Sequence, residues 1–395
     1  MGYVLGLLML FLGSASALLP ESDHDSLFVV NRYIDEEFQQ FQHIAVDKST
    51  GAIYVAGVNR LYQLDPDLNL LQTVVTGPVN DSIKCSASGC KVAEDLAAMK
   101  LTDNINKVLL LDYLRARVIV CGTVRQGSCQ VRDLRNITIL TRNVSEPIVA
   151  NNASTSTVAF IAPGPPKFPV SHVLYIGVTY TGKSVYRDEV PAVASRSLED
   201  DRFFEIAVTD VTTSTRMLVN SLARTRYPIT YVYGFGSGKF SYFLTRQRKN
   251  NENDSPFISK LVRICQNDTS YYSYTEVPLE CKDSKGTRYN LVQAAYVGKA
   301  GNELSSQLGI QIKDDVLFAV FSPSDPTLGE GSSVPTSESA LCVYSIKNIQ
   351  TKFIYNIQEC FKGSGHRGLD FISPSHKCIE TVSTEYCSVL YTYIH

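Results

Sequence analysis

Ile53-Tyr-Val-Ala-Gly57, a two-residue turn, then Arg60-Leu-Tyr-Gln-Leu64 reads as a pair of short strands, β-branched and aromatic residues in runs of five with turn residues between them. Val118-Ile-Val-Cys-Gly122 followed by Ser128-Cys-Gln-Val-Arg132 repeats the arrangement. Leu174-Tyr-Ile-Gly-Val178, Phe240-Ser-Tyr-Phe-Leu244 and Leu317-Phe-Ala-Val-Phe321 are three further copies of the first strand. The copies start 65, 56, 66 and 77 residues apart, room for about four strands and their loops each time. A repeated unit of four short strands is the blade of a β-propeller, so the fold class expected is all-β. Five blades fit between about Phe41 and Cys360, and the 35 residues beyond Cys360 are too few for two more, so the chain is expected to stop inside the propeller. Ile346, Ile349, Phe353 and Ile357, spaced 3, 4 and 4, predict one helix, and Ala300 to Leu308 a shorter one.

The 395 residues are 44% hydrophobic and 19% charged, a composition that can bury a core and excludes wholesale disorder. A net charge of −2 gives no electrostatic footprint for nucleic acid. The apolar run Val4 to Leu12, followed by Ala15-Ser16-Ala17, fits a secretory signal peptide over residues 1–17, with the mature domain over 18–395. No later stretch is apolar for the ~20 residues a membrane span needs. Ten cysteines, an even number with no C-x-x-C pair, suit a disulfide framework better than zinc or thioredoxin chemistry. They are Cys85, Cys90, Cys121, Cys129, Cys265, Cys281, Cys342, Cys360, Cys378 and Cys387. Six sequons, at Asn80, Asn136, Asn143, Asn152, Asn253 and Asn267, point to N-glycans on an exported chain.

Two motifs imitate nucleotide sites. Gly177-Val-Thr-Tyr-Thr-Gly182-Lys183-Ser184 matches G-x-x-x-x-G-K-[ST], but Pro191 interrupts any following helix, and without a helix N-terminus the phosphates lose part of their anion site. Gly363-Ser-Gly365-His-Arg-Gly368 fits G-x-G-x-x-G but follows a helix rather than a strand. Both read as turns or loops. None of the six histidines has metal-ligand spacing, no G-x-S-x-G elbow supports a catalytic triad, and no cofactor is expected. Arg246, Arg248 and Lys249, ahead of Asn250-Asn-Glu-Asn-Asp254, read as a solvated basic loop.

Phe41 to Leu64, Thr76-Gly-Pro-Val79, Thr102-Asp-Asn-Ile-Asn-Lys107, Gln126-Gly-Ser-Cys129, Ser259-Lys-Leu-Val-Arg-Ile-Cys265, Leu291-Val-Gln-Ala-Ala295 and Ser337-Glu-Ser-Ala-Leu-Cys342 together resemble the sema domain of the plexins, from about Phe41 to Cys387. Val149 to Val158 points to the B-type subfamily rather than the A-type. The resemblance implies a seven-bladed, non-enzymatic propeller at the tip of a cell-surface receptor, with a semaphorin as protein partner, homotypic contacts between copies, and membrane attachment only through regions beyond this chain. It also implies the pairings Cys85–Cys90, Cys121–Cys129, Cys265–Cys387, Cys281–Cys342 and Cys360–Cys378. Plexins meet semaphorin edge-on around blades three and four, which places Tyr186, Arg187, Asp188, Glu189, Asp210 and Arg216 at the partner surface. Glycans on Asn136, Asn143 and Asn152 would shield one rim from that partner. In the family an N-terminal strand completes the last blade; here Leu27 to Arg32 would lack that place and dock loosely, with blades one and five each exposing a flank. The alternatives are another sema-domain protein, either a semaphorin or a scatter-factor-type receptor, and, from a different class, a secreted propeller enzyme or nucleotide binder.

Overall fold

A computed structural model describes residues 30–35 and 40–364, apart from 189, 212, 251, 253 and 330. Four sheets are four-stranded antiparallel meanders. The first is β1 (Phe41–Val46), β2 (Ile53–Gly57), β3 (Arg60–Leu64) and β4 (Leu70–Val75). Before the second sheet the chain makes an excursion: β5 (Val79–Asp81), a short helix α1 (Ala93–Ala97) and β6 (Lys100–Thr102), with β5 and β6 paired as a separate ribbon. The second sheet is β7 (Asn106–Asp112), β8 (Arg117–Gly122), β9 (Cys129–Asp133) and β10 (Leu140–Val144). The third is β11 (Thr157–Pro163), β12 (His172–Val178), β13 (Val193–Ser197) and β14 (Arg216–Met217), and the fourth is β15 (Thr230–Ser237), β16 (Phe240–Arg248), β17 (Phe257–Cys265) and β18 (Thr275–Pro278). The fifth has three described strands: β19 (Leu291–Lys299), then, after helix α2 (Asn302–Leu308), β20 (Asp315–Ser322) and β21 (Ala340–Ser345). Helix α3 (Ile346–Phe361) follows, its first turn capped by the Ser345 hydroxyl, which accepts from the Asn348 amide at 3.2 Å.

The first strands β1, β7, β11, β15 and β19 pack successively against one another, as the inner strands of propeller blades do. The five repeated runs in the sequence are β2, β8, β12, β16 and β20, the second strand of each blade. Their side chains are buried on both faces: Val118, Ile119, Val120 and Cys121 are all core residues. Alternate residues therefore feed different inter-blade cores. Tyr54, Ala56 and Leu61 of blade one meet Val118, Val120 and Ile137 of blade two. Ile119 and Val131 meet Leu174, Ile176 and Ala194 of blade three. Phe243 and Val262 of blade four meet Tyr175 and Val193. Under α3, Ile346 and Phe353 close the core that Tyr242 and Leu261 share with Leu317 and Phe321 of blade five. Gly177, part of the P-loop imitation, is glycine for packing: a Cβ there would come within 2.4 Å of the Tyr231 ring of blade four. The segment after it forms a single 3₁₀ turn, Val185–Arg187, with no α-helix to receive phosphate.

The flanks depart from the sequence expectation. On the face of blade one turned away from blade two, Val55, Tyr62 and Leu64 are buried beside Tyr33 and Phe41, and the Tyr62 hydroxyl donates to Asp35 at 2.7 Å. The segment at residues 33–35 thus covers a flank expected to be open. Just before it, Val30 is 92% exposed and Asn31 and Arg32 are exposed; Leu27 to Val29 lie outside the described residues. Blade five does expose its outer face, with Tyr296 65% and Leu341 63% accessible.

Candidate functional site

The loop between β12 and β13 carries four of the six residues expected at a partner surface. Its base is fixed by Thr179, whose hydroxyl donates to the Ile229 carbonyl at 2.7 Å, and by Thr181, which donates to Asn151 Oδ1 at 2.6 Å. In the 3₁₀ turn Val185 and Tyr186 face outward and Arg187 faces inward. Tyr186 is exposed, whereas Arg187 is fully buried, its Nη1 donating to the Gln126 carbonyl at 2.7 Å. Gln126 in turn donates from Nε2 to the carbonyls of Ile83 and Cys85 and accepts from Asn151, so Arg187 fastens the blade-three loop to blade two and to the excursion after blade one. Burial, with Arg196 close by, lowers the Arg187 guanidinium to about 10, and its Nε and Nη2 have no hydrogen-bond partner among the described residues. Arg187 is therefore buried between the blade-three loop and blade two rather than displayed on the surface, a correction to its expected placement: its position in the turn faces Gln126.

Asp188 is exposed and accepts from the Tyr180 hydroxyl at 3.0 Å and pairs with Arg224 Nη1 at 3.3 Å, the guanidinium lying 5.9 Å from the Tyr180 ring centroid. Partial burial, together with Asp188, raises the Tyr180 phenol. Tyr180 and Arg224 are the residues that hold this surface in shape, and no local spacing singles them out, because 44 positions separate them. Arg216 is exposed on β14 opposite Ala194. Asp210 is exposed in a hairpin closed by the Thr209–Ser214 bridge, beside Val211, which is almost wholly exposed. No hydrogen bond or ion pair joins either residue to the Tyr180–Asp188–Arg224 group among the described residues. Glu189 lies outside the described residues.

The bridges Cys85–Cys90, Cys121–Cys129 and Cys281–Cys342 are present, and Cys265 and Cys360 are also disulfide-bonded. The expected Cys265–Cys387 and Cys360–Cys378 pairings involve Cys378 and Cys387, which lie outside the described residues. Of the sequon asparagines, Asn80 and Asn143 are exposed, Asn136, Asn152 and Asn267 are half-buried, and Asn253 lies outside the described residues. Asn136 sits in the β9–β10 connection, whereas Asn152 follows β10 at the opposite end of that blade, where Ile148 and Val149 pair with Gly127. The two cannot shield a single rim, because antiparallel strands carry them to opposite ends of the sheet. Among the described residues there is no group of His, Cys, Asp and Glu fit to hold a metal ion, and no helix long and apolar enough to cross a membrane.

A family model described as "Sema domain" matches residues 292–389. Human Plexin-A4 is 34% identical over 97% of this chain, and human Plexin-A3 is 32% identical over 88%. The solved Plexin A4 extracellular region superposes over 88% of the chain with a TM-score of 0.73 at 32% identity. The described fold is a plexin-type sema propeller. Drosophila Semaphorin 2a, at 14% identity and a TM-score of 0.51 over 79% of the chain, shares the fold alone. These plexin relatives are A-type, so Val149 to Val158 does not carry the B-type assignment expected from it. That likeness runs to the extracellular region of a plexin. The chain spans about a fifth of the length of Plexin-A4 and 39% of the solved extracellular chain.

Proposed function

We propose that this chain is the ligand-recognition propeller of a plexin-type receptor, displayed outside the cell, with a semaphorin as its protein partner. In this reading residues 1–17 are a secretory leader and the sema domain follows. The observation that carries the proposal is the joint match in sequence and fold to Plexin A4, 32% identity at a TM-score of 0.73. The partner surface is the blade-three edge: Tyr186 as the aromatic anchor, Asp188 held by Tyr180 and Arg224, and Arg216 and Asp210 further along. A rigid aromatic beside ordered charges suits specific, electrostatically steered association.

Surface plasmon resonance of the chain against a panel of semaphorins tests this. At least one should bind, and Tyr186→Ala should weaken it by about tenfold, roughly 1.4 kcal/mol. Asp188→Lys should chiefly slow association and flatten its salt dependence. Absence of binding across the panel would remove the receptor reading; binding indifferent to both substitutions would move the surface off blade three.

A further inference from the structure

Between the excursion after blade one and the loop that enters blade three lies a cleft of about 480 Å³, within the range of small-molecule sites. Ile83, Lys84, Ala98 and Lys100 line it from the excursion, Ile105 from the chain entering blade two, and Asn152 from the facing loop. The facing loop is held in place. Lys107 Nζ donates to the carbonyls of Ala153 at 2.7 Å and Thr155 at 2.8 Å, and Asn151 is tied to Gln126 and Thr181. The excursion is less covered: Ile83, Val92, Leu96 and Leu101 are all exposed aliphatic side chains.

Asn152 begins the sequon Asn152-Ala153-Ser154, and its Oδ1 accepts from the Ser154 amide and hydroxyl. Its Nδ2 makes no hydrogen bond to a described residue. A sugar attached there starts at the wall of the cleft. Attachment precedes folding, so half-burial of Asn152 in the finished domain does not prevent it. We propose that the N-glycan of Asn152 is the ligand of this cleft, its first N-acetylhexosamine residues seated between the excursion and the blade-three loop. The lining suits that chemistry. Ile83, Ala98 and Ile105 offer aliphatic contact to the apolar face of a pyranose. Lys84 and Lys100 form no ion pair among the described residues and can donate to hydroxyl and acetamide oxygens. Covalent attachment makes the contact intramolecular, so an affinity far too weak for a free sugar still fills the site.

The proposal rests on the extracellular reading, and one experiment separates the two. The full chain is secreted from glycosylating animal cells and treated with PNGase F in ¹⁸O water, natively and after denaturation, with release followed peptide by peptide. Asn152 should be occupied, and its native release should lag that of Asn143, exposed on β10, by about tenfold, equivalent to about 1.4 kcal/mol of protection. The lag should vanish on denaturation, and Ala98→Trp, which fills the cleft from the excursion side, should abolish it natively. Equal native release at the two sites, or an unglycosylated Asn152 beside an occupied Asn143, overturns the proposal while leaving export intact. If no sequon is occupied, the extracellular reading fails and the proposal fails with it.

Discussion

Replacing Arg187 by methionine should leave the fold almost as stable as before, although the side chain is fully buried and hydrogen-bonded. A guanidinium held at about 10, well below its ordinary value, bears a charge whose burial costs about 3 kcal/mol. Against that stands one charge-assisted hydrogen bond, Nη1 to the Gln126 carbonyl, worth about 1.5–3 kcal/mol. Nε and Nη2 have no hydrogen-bond partner among the described residues, and Arg196 opposes the charge. The contributions nearly cancel. Methionine keeps most of the stem's volume, so Arg187→Met should change stability by no more than about 1 kcal/mol. Arg187→Ala adds a cavity and should cost about 2–5 kcal/mol, and Arg187→Glu, which buries an unpaired carboxylate, at least as much.

Urea denaturation followed by tyrosine fluorescence measures this directly, because the chain has 22 tyrosines and no tryptophan. The pH dependence has a definite sign. A folded-state value depressed below the unfolded one means that the native chain releases the proton first, so Arg187 makes stability rise as pH climbs from about 10 toward the ordinary guanidinium value. Arg187→Met should lack that rise and run parallel to the parent at lower pH. The reasoning is refuted if Arg187→Met loses 3 kcal/mol or more and Arg187→Ala loses no more than it does. The charge itself would then be stabilising, and an anion must face it in solution.

Glu276 is nearly inaccessible, pairs with Lys260 at 3.1 Å and accepts from the Tyr274 hydroxyl at 2.7 Å. Glu276→Gln strands the buried ammonium and should cost about 3–5 kcal/mol, whereas Lys260→Met with Glu276→Met should recover at least half of that in the same denaturation assay. Cys281–Cys342 spans 61 positions and ties the chain leaving blade four to β21; chain entropy assigns it about 4 kcal/mol. Cys281→Ala with Cys342→Ala should lower the urea midpoint accordingly, and an unchanged midpoint would show that the bridge closes no loop left open by unfolding.

The blades were legible where burial is two-sided. A second strand such as β8 packs into one inter-blade core with Val118 and Val120 and into the next with Ile119 and Cys121, so the run is apolar throughout and its recurrence can be counted. The outermost strands lack that signature. β14 has two residues and β10 is mostly exposed, so neither stands out from loop sequence. The excursion carrying β5, α1 and β6 was not anticipated either, since its short helix buries none of its residues and so shows no periodic apolar face. At the candidate surface, residue type identified Tyr186 and Asp188 as accessible but misplaced Arg187, because only the turn's geometry decides which side chain of consecutive charged and aromatic residues points inward. Tyr180 and Arg224 meet only through the tertiary fold. The subfamily reading relied on a loop, where sequence is least constrained by packing.

The ends of the blade series are physically unequal. Each inter-blade core is built from two sheets, so stability accumulates by nearest-neighbour contact and a terminal sheet needs a cap. Blade one has one: Tyr33 packs 5.5 Å from Tyr62, ring centroid to centroid, and Asp35 takes up the hydroxyl that burial would otherwise strand. The Tyr62 phenol is accordingly raised well above its ordinary value, chiefly by desolvation and then by Asp35. Among the described residues blade five meets α3 and blade four on one side only. Its other face carries Tyr296 and Leu341 in the open, with Phe318 and Val320 half-buried between them on β20. An uncovered apolar sheet face invites association with any complementary surface. The Sema match begins at Val292, inside the first strand of this same blade, and runs to residue 389. The stretch that matches the Sema model therefore includes the blade whose outer face the described residues leave uncovered.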